Sequence, residues 1–475
     1  MYINQDIFKM YDIRGVVPKD INQKVVNLIG KAYSIYIRER IKKESITVSV
    51  GRDVRLHSEM LSKALIEGLR DYGINVIDIG ICPTPTLYFS LFNLPIDGGI
   101  MITASHNPPE FNGMKLCVGR ETLYGEEIQR IYSLIKEVEN FTNTNYNRGN
   151  LETFDILPIY KKYLLESFKN NMSKEINSNP IRIATDCGNG CAGLIVPSLL
   201  KELGIELTEL YSDPDGRFPN HHPDPTVIES LEKLIAIVKE KQLDFGIAYD
   251  GDVDRIGVID NNGEIVYGDK LTYIFAKDIL KEHPRAKIIS EVKSSKTLFD
   301  GIEKLGGIPI MSAVGHSLIK KKLREENALF AGEMSGHMFF NDRYFGYDDA
   351  IYATLRLIEI VAKEKSARDN FVFSDLLKDL PKVFVSPEIR VDCLEEKKFQ
   401  IVEHFLDQFK TRYPDLAKEI KKVITIDGLR IEFSDGWGLL RASNTQPAIV
   451  MRFESETEDR LELFKKSFED TILSL

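Results

Sequence analysis

The sequence predicts an α/β protein: three tandem α/β domains followed by a smaller α+β domain. Three observations predict this. A strand–loop–helix–strand unit recurs three times along the chain. About the last 90 residues abandon that pattern for short strands separated by turns. The length, 475 residues, exceeds what one hydrophobic core supports and suggests roughly three or four domains.

The first unit reads Ile46–Val50 as an apolar strand, Gly51-Arg52-Asp53 as its loop, an amphipathic helix near Ser58–Tyr72, and Gly73-Ile74-Asn75-Val76 as the return strand. The second is Ile181–Ala184, the loop Asp186–Gly190, a helix near Leu194–Leu203, then Gly204-Ile205. The third is Lys287–Ser290, Glu291-Val292-Lys293, a helix near Lys296–Leu305, then Gly306–Ile310. Each unit resembles a βαβ crossover, and each glycine suits a helix C′ position, where the chain turns left-handed. Beyond them come a helix near Lys397–Phe409, strands near Asp427–Ile431, Trp437–Arg441 and Ala448–Phe453, and a closing helix from about Glu458 with Thr457 as N-cap. The predicted domains are 1–150, 151–258, 259–372 and 373–475, the last break lying around Asp369–Val383 with Pro381.

Four short segments are candidates for carrying chemistry. Thr103-Ala104-Ser105-His106-Asn107-Pro108 follows the buried-strand pattern Gly99–Ile102. Prolines 108 and 109 stop both strand and ordinary helix, so Ser105 sits on a stiff loop at a strand end, where α/β proteins place chemistry. His106 is adjacent and Lys115 lies ten residues on, which suits a nucleophilic hydroxyl; an ordinary turn is the plain alternative. Asp250-Gly251-Asp252-Val253-Asp254-Arg255 lies between two strand patterns, with Asn261-Asn262-Gly263 as a hairpin turn. Carboxylates at alternate positions repel unless a cation or basic groups sit among them, and an all-oxygen set suits Mg²⁺ or Ca²⁺; a solvated acidic turn is the plain alternative. The EF-hand pattern fails, since Arg255 and Asn261 occupy its Gly and Glu places. Arg255 suits a phosphate clamp or an aspartate partner. Gly332-Glu333-Met334-Ser335-Gly336-His337 offers a carboxylate, a hydroxyl and an imidazole for gripping sugar hydroxyls, with an ordinary short polar, glycine-containing loop as the plain alternative. Arg441-Ala442-Ser443-Asn444-Thr445-Gln446-Pro447 offers a guanidinium, hydroxyls and an amide as a phosphate cradle; a hairpin loop with capping side chains is the plain alternative, and on these residues alone the more ordinary one.

Composition excludes other classes. The net charge of -10 gives no broad basic footprint for nucleic acid. No apolar run reaches the length needed to span a bilayer, and the first residues lack signal-peptide character. Cys82, Cys117, Cys187, Cys191 and Cys393 are scattered and odd in number, which points to a reducing, cytoplasmic setting; Cys187 and Cys191 lack a second pair at zinc spacing.

In this order, and with Tyr11-Asp12-Ile13-Arg14-Gly15 ahead of them, these segments resemble the α-D-phosphohexomutase family, particularly its phosphomannomutase/phosphoglucomutase branch, over essentially the whole chain. The resemblance implies three α/β/α sandwiches with mixed sheets and a smaller α+β domain around a central cleft. It implies Ser105 as the phosphoserine, with Asp250, Asp252 and Asp254 as Mg²⁺ ligands alongside a phosphoserine oxygen. It assigns Glu333, Ser335 and His337 to the sugar, and Arg441, Ser443, Asn444 and Thr445 to the non-reacting phosphate. Arg14, Lys115, Arg255, Lys293 and His316 line the cleft, with Lys115 and His316 as proton-transfer candidates and with Tyr11 and His106 beside them. The implied reaction interconverts hexose 1-phosphate and 6-phosphate of mannose or glucose through a hexose 1,6-bisphosphate. Small sugar phosphates are then the partners, with no nucleic acid, no membrane and no obligatory protein partner. The glucosamine branch is the alternative within the family; Met334 suits glucose and mannose, where that branch tends to carry Gln. A haloacid-dehalogenase-like phosphatase using Asp250 is the alternative outside it, and it leaves Ser105 and the 441–447 loop without work.

Overall fold

The protein is described by a computed structural model covering residues 3–140, 146–394, 396–443 and 447–475. It forms two compact units: Met1–Leu271 with Ser335–Leu376, and Thr272–Met334 with Leu377–Leu475.

The first unit holds two mixed sheets. One runs in the order Ile13–Val16, Phe111–Val118, Gly98–Ile102, Thr47–Arg52, Asn75–Ile81, Leu151–Thr153, with Glu121–Thr122 beside Phe111–Val118. Its central strands pair in parallel, and Phe111–Val118 is antiparallel to both neighbours. Successive residues of a strand face opposite sides. Accordingly Gly98 faces Tyr33 and Ile37 of helix Gln23–Arg40, while Gly99 faces Leu87 and Leu91 of helix Thr84–Asn93. Helices thus cover both faces, and the core joins Ile29, Tyr33, Leu65 and Ile131 to Val48, Ile100 and Leu116. The second sheet is ordered Ile265–Val266, Ile256–Ile259, Phe245–Tyr249, Arg182–Asp186, Glu206–Leu210. Phe245–Tyr249 pairs in parallel with Arg182–Asp186 and antiparallel with Ile256–Ile259, so the intervening acidic segment is a tight connection. The predicted hairpin over 261–263 is present, with Gly263 at φ 79°.

In the second unit Ile308–Ser312, Lys287–Glu291 and Phe330–Gly332 pair in parallel. The C-terminal sheet is antiparallel throughout, in the order Phe384–Val385, Ala448–Ser455, Gly436–Ala442, Leu429–Glu432, Lys422–Ile424, with Ile389–Asp392 also on Ala448–Ser455. Phe405 and Phe409 of helix Lys398–Arg412 and Phe464 and Phe468 of helix Glu458–Ile472 cover it.

The three repeated units end their helices alike. Gly73, Gly204 and Gly306 have φ of 73°, 82° and 82°. The next residue's N–H closes back on the carbonyl five residues earlier: Ile74 on Leu69, Ile205 on Leu200, Gly307 on Ile302. This is the Schellman closure that only a residue free of Cβ makes without cost. The Thr457 N-cap is also present, its hydroxyl accepting from Arg460 N.

Packing does not follow the linear division at every break. Helix Ala350–Ala367, which sequence position assigns to the third domain, packs with helix Leu157–Ser178 in the first unit. The reason is Asp349: one carboxylate oxygen caps Ile351 N and Tyr352 N at 2.9 Å each, and the other accepts from Tyr160 at 2.6 Å. The break near residue 372 is also no gap in packing. Arg430 donates to the Val292 and Ser294 carbonyls at 2.7 Å each and lies 3.8 Å over the Trp437 ring. Trp437 and Leu439 bury against Val292, which ties the C-terminal sheet to the 287–294 segment. Among the described residues no helix is long and apolar enough to cross a membrane.

Candidate active site

In the first unit the serine loop and the acidic loop meet. Both follow the C-terminal ends of strands in the parallel parts of their sheets, Gly98–Ile102 and Phe245–Tyr249, which brings residues 145 positions apart into contact. Ser105 takes the left-handed conformation, φ 50°, and its N–H is held by Thr103 Oγ1 at 2.9 Å. Its hydroxyl donates to Asp250 Oδ2 at 2.6 Å and lies 3.0 Å from His106 Nδ1. A Cβ on Gly251 would stand 2.6 Å from the Ser105 carbonyl oxygen, so only glycine permits the two loops this approach. Val253 is left-handed at φ 68° and fully buried, an unusual state for a β-branched residue.

The acidic side chains are buried and held in fixed directions. Asp250 Oδ1 accepts from Asp254 N and Arg255 N at 3.1 Å each. Asp252 Oδ2 accepts from Thr84 Oγ1 at 2.5 Å and from Lys115 Nζ at 2.8 Å. Lys115 also pairs with Asp254 Oδ2, and Asp254 Oδ1 faces His337 Nε2 at 3.3 Å. Burial, reinforced by Asp254 and Asp252, pushes Asp250 well above the usual carboxylate range. Burial acts the same way on Asp254, yet Lys115 and His337 outweigh it and hold Asp254 well below that range. Lys115 is the mirror case: burial disfavours its charge, but Asp252 and Asp254 keep it firmly protonated. The imidazole of His106 is kept neutral by burial and by Arg255 and Arg14.

These residues fit a hard cation. One oxygen from each of Asp250, Asp252 and Asp254 lies within 4.8 Å of the others, and Asp252 Oδ1 is buried without a hydrogen bond. All donors are oxygen, which suits Mg²⁺ over Zn²⁺. Lys115 partly neutralises the cluster. Cys187 and Cys191 take no part in it: both are buried free thiols, and burial pushes Cys187 up to about 12.

Arg14, Ser335 and His337 also come to this site. Arg14, on strand Ile13–Val16, donates to Asn107 Oδ1 and to Asp12, both at 2.5 Å, and half-buried Tyr11 precedes it. His337 Nδ1 lies 2.9 Å from Ser335 Oγ, and its Nε2 lies 3.4 Å from Arg255 Nε. Gly336, at φ 93°, lets that loop touch Ile256, whose carbonyl would stand 2.3 Å from an added Cβ. Ser335 and His337 thus belong with the acidic loop, whereas Glu333, two residues before Ser335, lies in the second unit.

In the second unit Glu333 Oε1 accepts from Gly315 N at 2.8 Å, tying it to the start of the helix headed by buried His316. Lys293 Nζ lies 3.7 Å from Glu291 Oε1 and 3.5 Å from Glu388 Oε2. Arg441 donates to Asp427 Oδ2 at 3.0 Å, and the same oxygen accepts from Val314 N at 3.0 Å. The Ser443 carbonyl accepts from Lys398 at 2.6 Å. Asn444 and Thr445 lie outside the described residues.

Sequence reasoning missed several participants. Thr84, bonded to Asp252, sits in the uncharged helix start Thr84-Pro85-Thr86-Leu87. Asp427 joins Arg441 to Val314 N, and Glu291 Oε1 accepts from Met334 N at 2.9 Å. Arg55 donates into the serine loop; the nearby Gly51-Arg52-Asp53 loop was the only available pointer.

Models of the phosphoglucomutase/phosphomannomutase family match all four segments: alpha/beta/alpha domain I over 5–142, domain II over 159–263, domain III over 267–384 and the C-terminal domain over 388–471. A phosphomannomutase/phosphoglucomutase of Pseudomonas aeruginosa is 42% identical over 466 residues, covering 98% of this chain and 95% of that protein. A phosphoglucomutase of Neisseria gonorrhoeae is 41% identical over 473 residues, covering 99% and 98%. The crystal structure of a phosphoglucomutase/phosphomannomutase family protein from Burkholderia thailandensis superposes with a TM-score of 0.88 at 38% identity, covering 100% of this chain and 98% of that one.

Proposed function

The chain belongs to the phosphoglucomutase/phosphomannomutase family, and from that premise we propose that it interconverts the 1-phosphates and 6-phosphates of glucose and mannose through phosphorylated Ser105. The observation that carries this reading is the 2.6 Å bond from Ser105 Oγ to Asp250 within a buried, all-oxygen carboxylate set. Phosphoserine 105 gives its phosphoryl group to a free hydroxyl of the sugar monophosphate, forming the 1,6-bisphosphate. It then takes back the phosphoryl from C1, which leaves the 6-phosphate. Mg²⁺ bound by Asp250, Asp252 and Asp254 would offset the charge of the phosphoserine and draw electron density from the transferring group.

The chain's own residues do the rest. Asp250 orients Ser105 Oγ, and the neutral His106 beside it leaves positive charge there to Arg14, Arg255 and Lys115. Held protonated by Asp252 and Asp254, Lys115 stabilises developing negative charge as a fixed cation and does not serve as a base. His316 is the candidate base. Glu333, Ser335 and His337 read sugar hydroxyls, and Arg441 with its loop takes the non-reacting phosphate. A nucleophilic Asp250 is disfavoured, because both its oxygens are engaged by Ser105 and by the N–H groups of Asp254 and Arg255. Coupled assays with glucose 1-phosphate and mannose 1-phosphate, primed with glucose 1,6-bisphosphate, test the proposal; acid-stable label on Ser105 is the expected companion result.

Two variants separate the grips. Arg441→Ala is expected to raise KM about ten- to a hundredfold, the loss of one charge-assisted phosphate contact of about 1.5–3 kcal/mol, and to release more free bisphosphate. Unchanged KM with unchanged release removes Arg441 from the phosphate. Glu333→Ala is expected to lower kcat/KM for glucose and mannose phosphates alike, by roughly tenfold or more, because O3 and O4 are common to both. A loss confined to one epimer would assign Glu333 to O2.

A further inference from the structure

The turn after strand Thr47–Arg52 carries a buried arginine that the proposed reaction leaves without work. Arg55 has no exposed side-chain surface. Its guanidinium donates to the carbonyls of Ser105 at 2.8 Å, Asn107 at 2.5 Å, Pro108 at 2.6 Å and Phe111 at 3.1 Å. It therefore binds the serine loop along its length, through the backbone and without touching the reacting hydroxyl. We propose that Arg55 is a positioning residue: it holds the Ser105 carbonyl against Gly251 and so sets the reach of Ser105 Oγ to Asp250 and to the cation that the carboxylates would hold. This rests on the reading of Ser105 as the phosphoryl carrier.

The surroundings fix Arg55 as firmly as Arg55 fixes the loop. Its Nε lies 3.2 Å from Asp53 Oδ2. The other oxygen of Asp53 accepts from Arg55 N at 3.0 Å and from Ser58 Oγ at 2.5 Å. Ser58 in turn accepts from Asn112 at 2.9 Å, on the strand that leaves the serine loop. From the other side Phe218 lies 5.0 Å from the guanidinium, and a Cβ on Gly216 would meet Val54 O at 2.4 Å. The same 211–221 segment is tied to the turn behind the acidic loop: Asn189 donates to Asp213 O at 2.8 Å, and a Cβ on Gly190 would meet Gly251 O at 2.8 Å. Arg55 thus stands where the serine loop of one sheet is registered against the acidic loop of the next. A planar fork with five donors is suited to several carbonyls at once; an ammonium is not. The carbonyl that Arg55 grips is also the atom that closes on Gly251. Losing the grip frees a residue that must hold φ 50°, a state that surrounding contacts have to enforce.

The test compares the wild type with Arg55→Met and Arg55→Lys in the full chain. Three quantities are read: kcat and KM in the mutase assay, the rate of Ser105 phosphorylation by glucose 1,6-bisphosphate from intact mass, and Mg²⁺ binding by calorimetry without substrate. For Arg55→Met, kcat and the phosphorylation rate are expected to fall together by about a hundredfold, the cost of a displacement near 1 Å. KM should stay within roughly threefold, and Mg²⁺ affinity should weaken by about tenfold. Arg55→Lys should recover part of the loss, since lysine keeps the charge but fewer of the bonds. A folded Arg55→Met enzyme with both rates within about twofold of wild type overturns the proposal, as does a variant whose only change is a lower Tm. If Arg55→Met does not fold, the same limits applied to Arg55→Lys decide. A wild type that takes no phosphate on Ser105 instead overturns the reading beneath, and that result is visible before any Arg55 variant is compared.

Discussion

Replacing Ser105 with alanine is expected to lower mutase turnover by at least about a thousandfold while leaving the fold intact. The hydroxyl reaches the acidic cluster directly, its oxygen 2.6 Å from Asp250, and it is the proposed phosphoryl carrier. The backbone of the loop is held independently, by the Thr103 side chain at Ser105 N and by Arg55 at the Ser105 carbonyl. Losing the hydroxyl removes one buried hydrogen bond to a carboxylate, worth about 1–3 kcal/mol, which lowers Tm without dissolving a chain of this size. Mutase assay, thermal denaturation and peptide mass spectrometry check the three parts. Phosphate found on another residue, or turnover near wild type, would sink the assignment.

The second large effect is expected on metal removal. Exhaustive chelation should reduce activity by at least about a thousandfold, and Mg²⁺ should restore it. The physical reason lies in the charge balance: Asp250, Asp252 and Asp254 are all buried, and a phosphoserine adds about -1.5 to -2 more. Lys115 pairs with both Asp252 and Asp254 and offsets part of that charge without any metal, yet it leaves Asp252 Oδ1 without a hydrogen bond. Circular dichroism should therefore change little on chelation while turnover disappears. Asp252→Asn should weaken Mg²⁺ activation and release Lys115 from one of its two carboxylates. Full activity in the chelated enzyme would refute the metal assignment.

Local pattern carried far in this chain. The strand runs, the three Gly-terminated helices and the Thr457 cap follow from nearest-neighbour chemistry, and the structure has them because φ above zero at Gly73, Gly204 and Gly306 needs no distant partner. The serine and acidic loops were legible for the same reason: prolines and alternating carboxylates announce themselves within six residues. Arg55, Thr84, Asp427 and Glu291 were not legible, because each acts on an atom far along the chain. Thr84 and Asp252 are 168 positions apart, and no spacing rule spans that distance.

Local sequence was enough to read the kinds of element, their order and the α/β-then-α+β fold class. Tertiary structure alone decided their grouping: Ser335 and His337 join the acidic loop while Glu333 belongs to the other unit, and helix Ala350–Ala367 leaves its sequence neighbours to pack with Leu157–Ser178. It also decided charge states. Asp250 and Asp254 are chemically identical residues four positions apart in one loop, yet burial among carboxylates raises the first, while Lys115 and His337 lower the second. Desolvation and charge pairing depend on which atoms meet in space, and that is a property of the packed chain rather than of any segment of it.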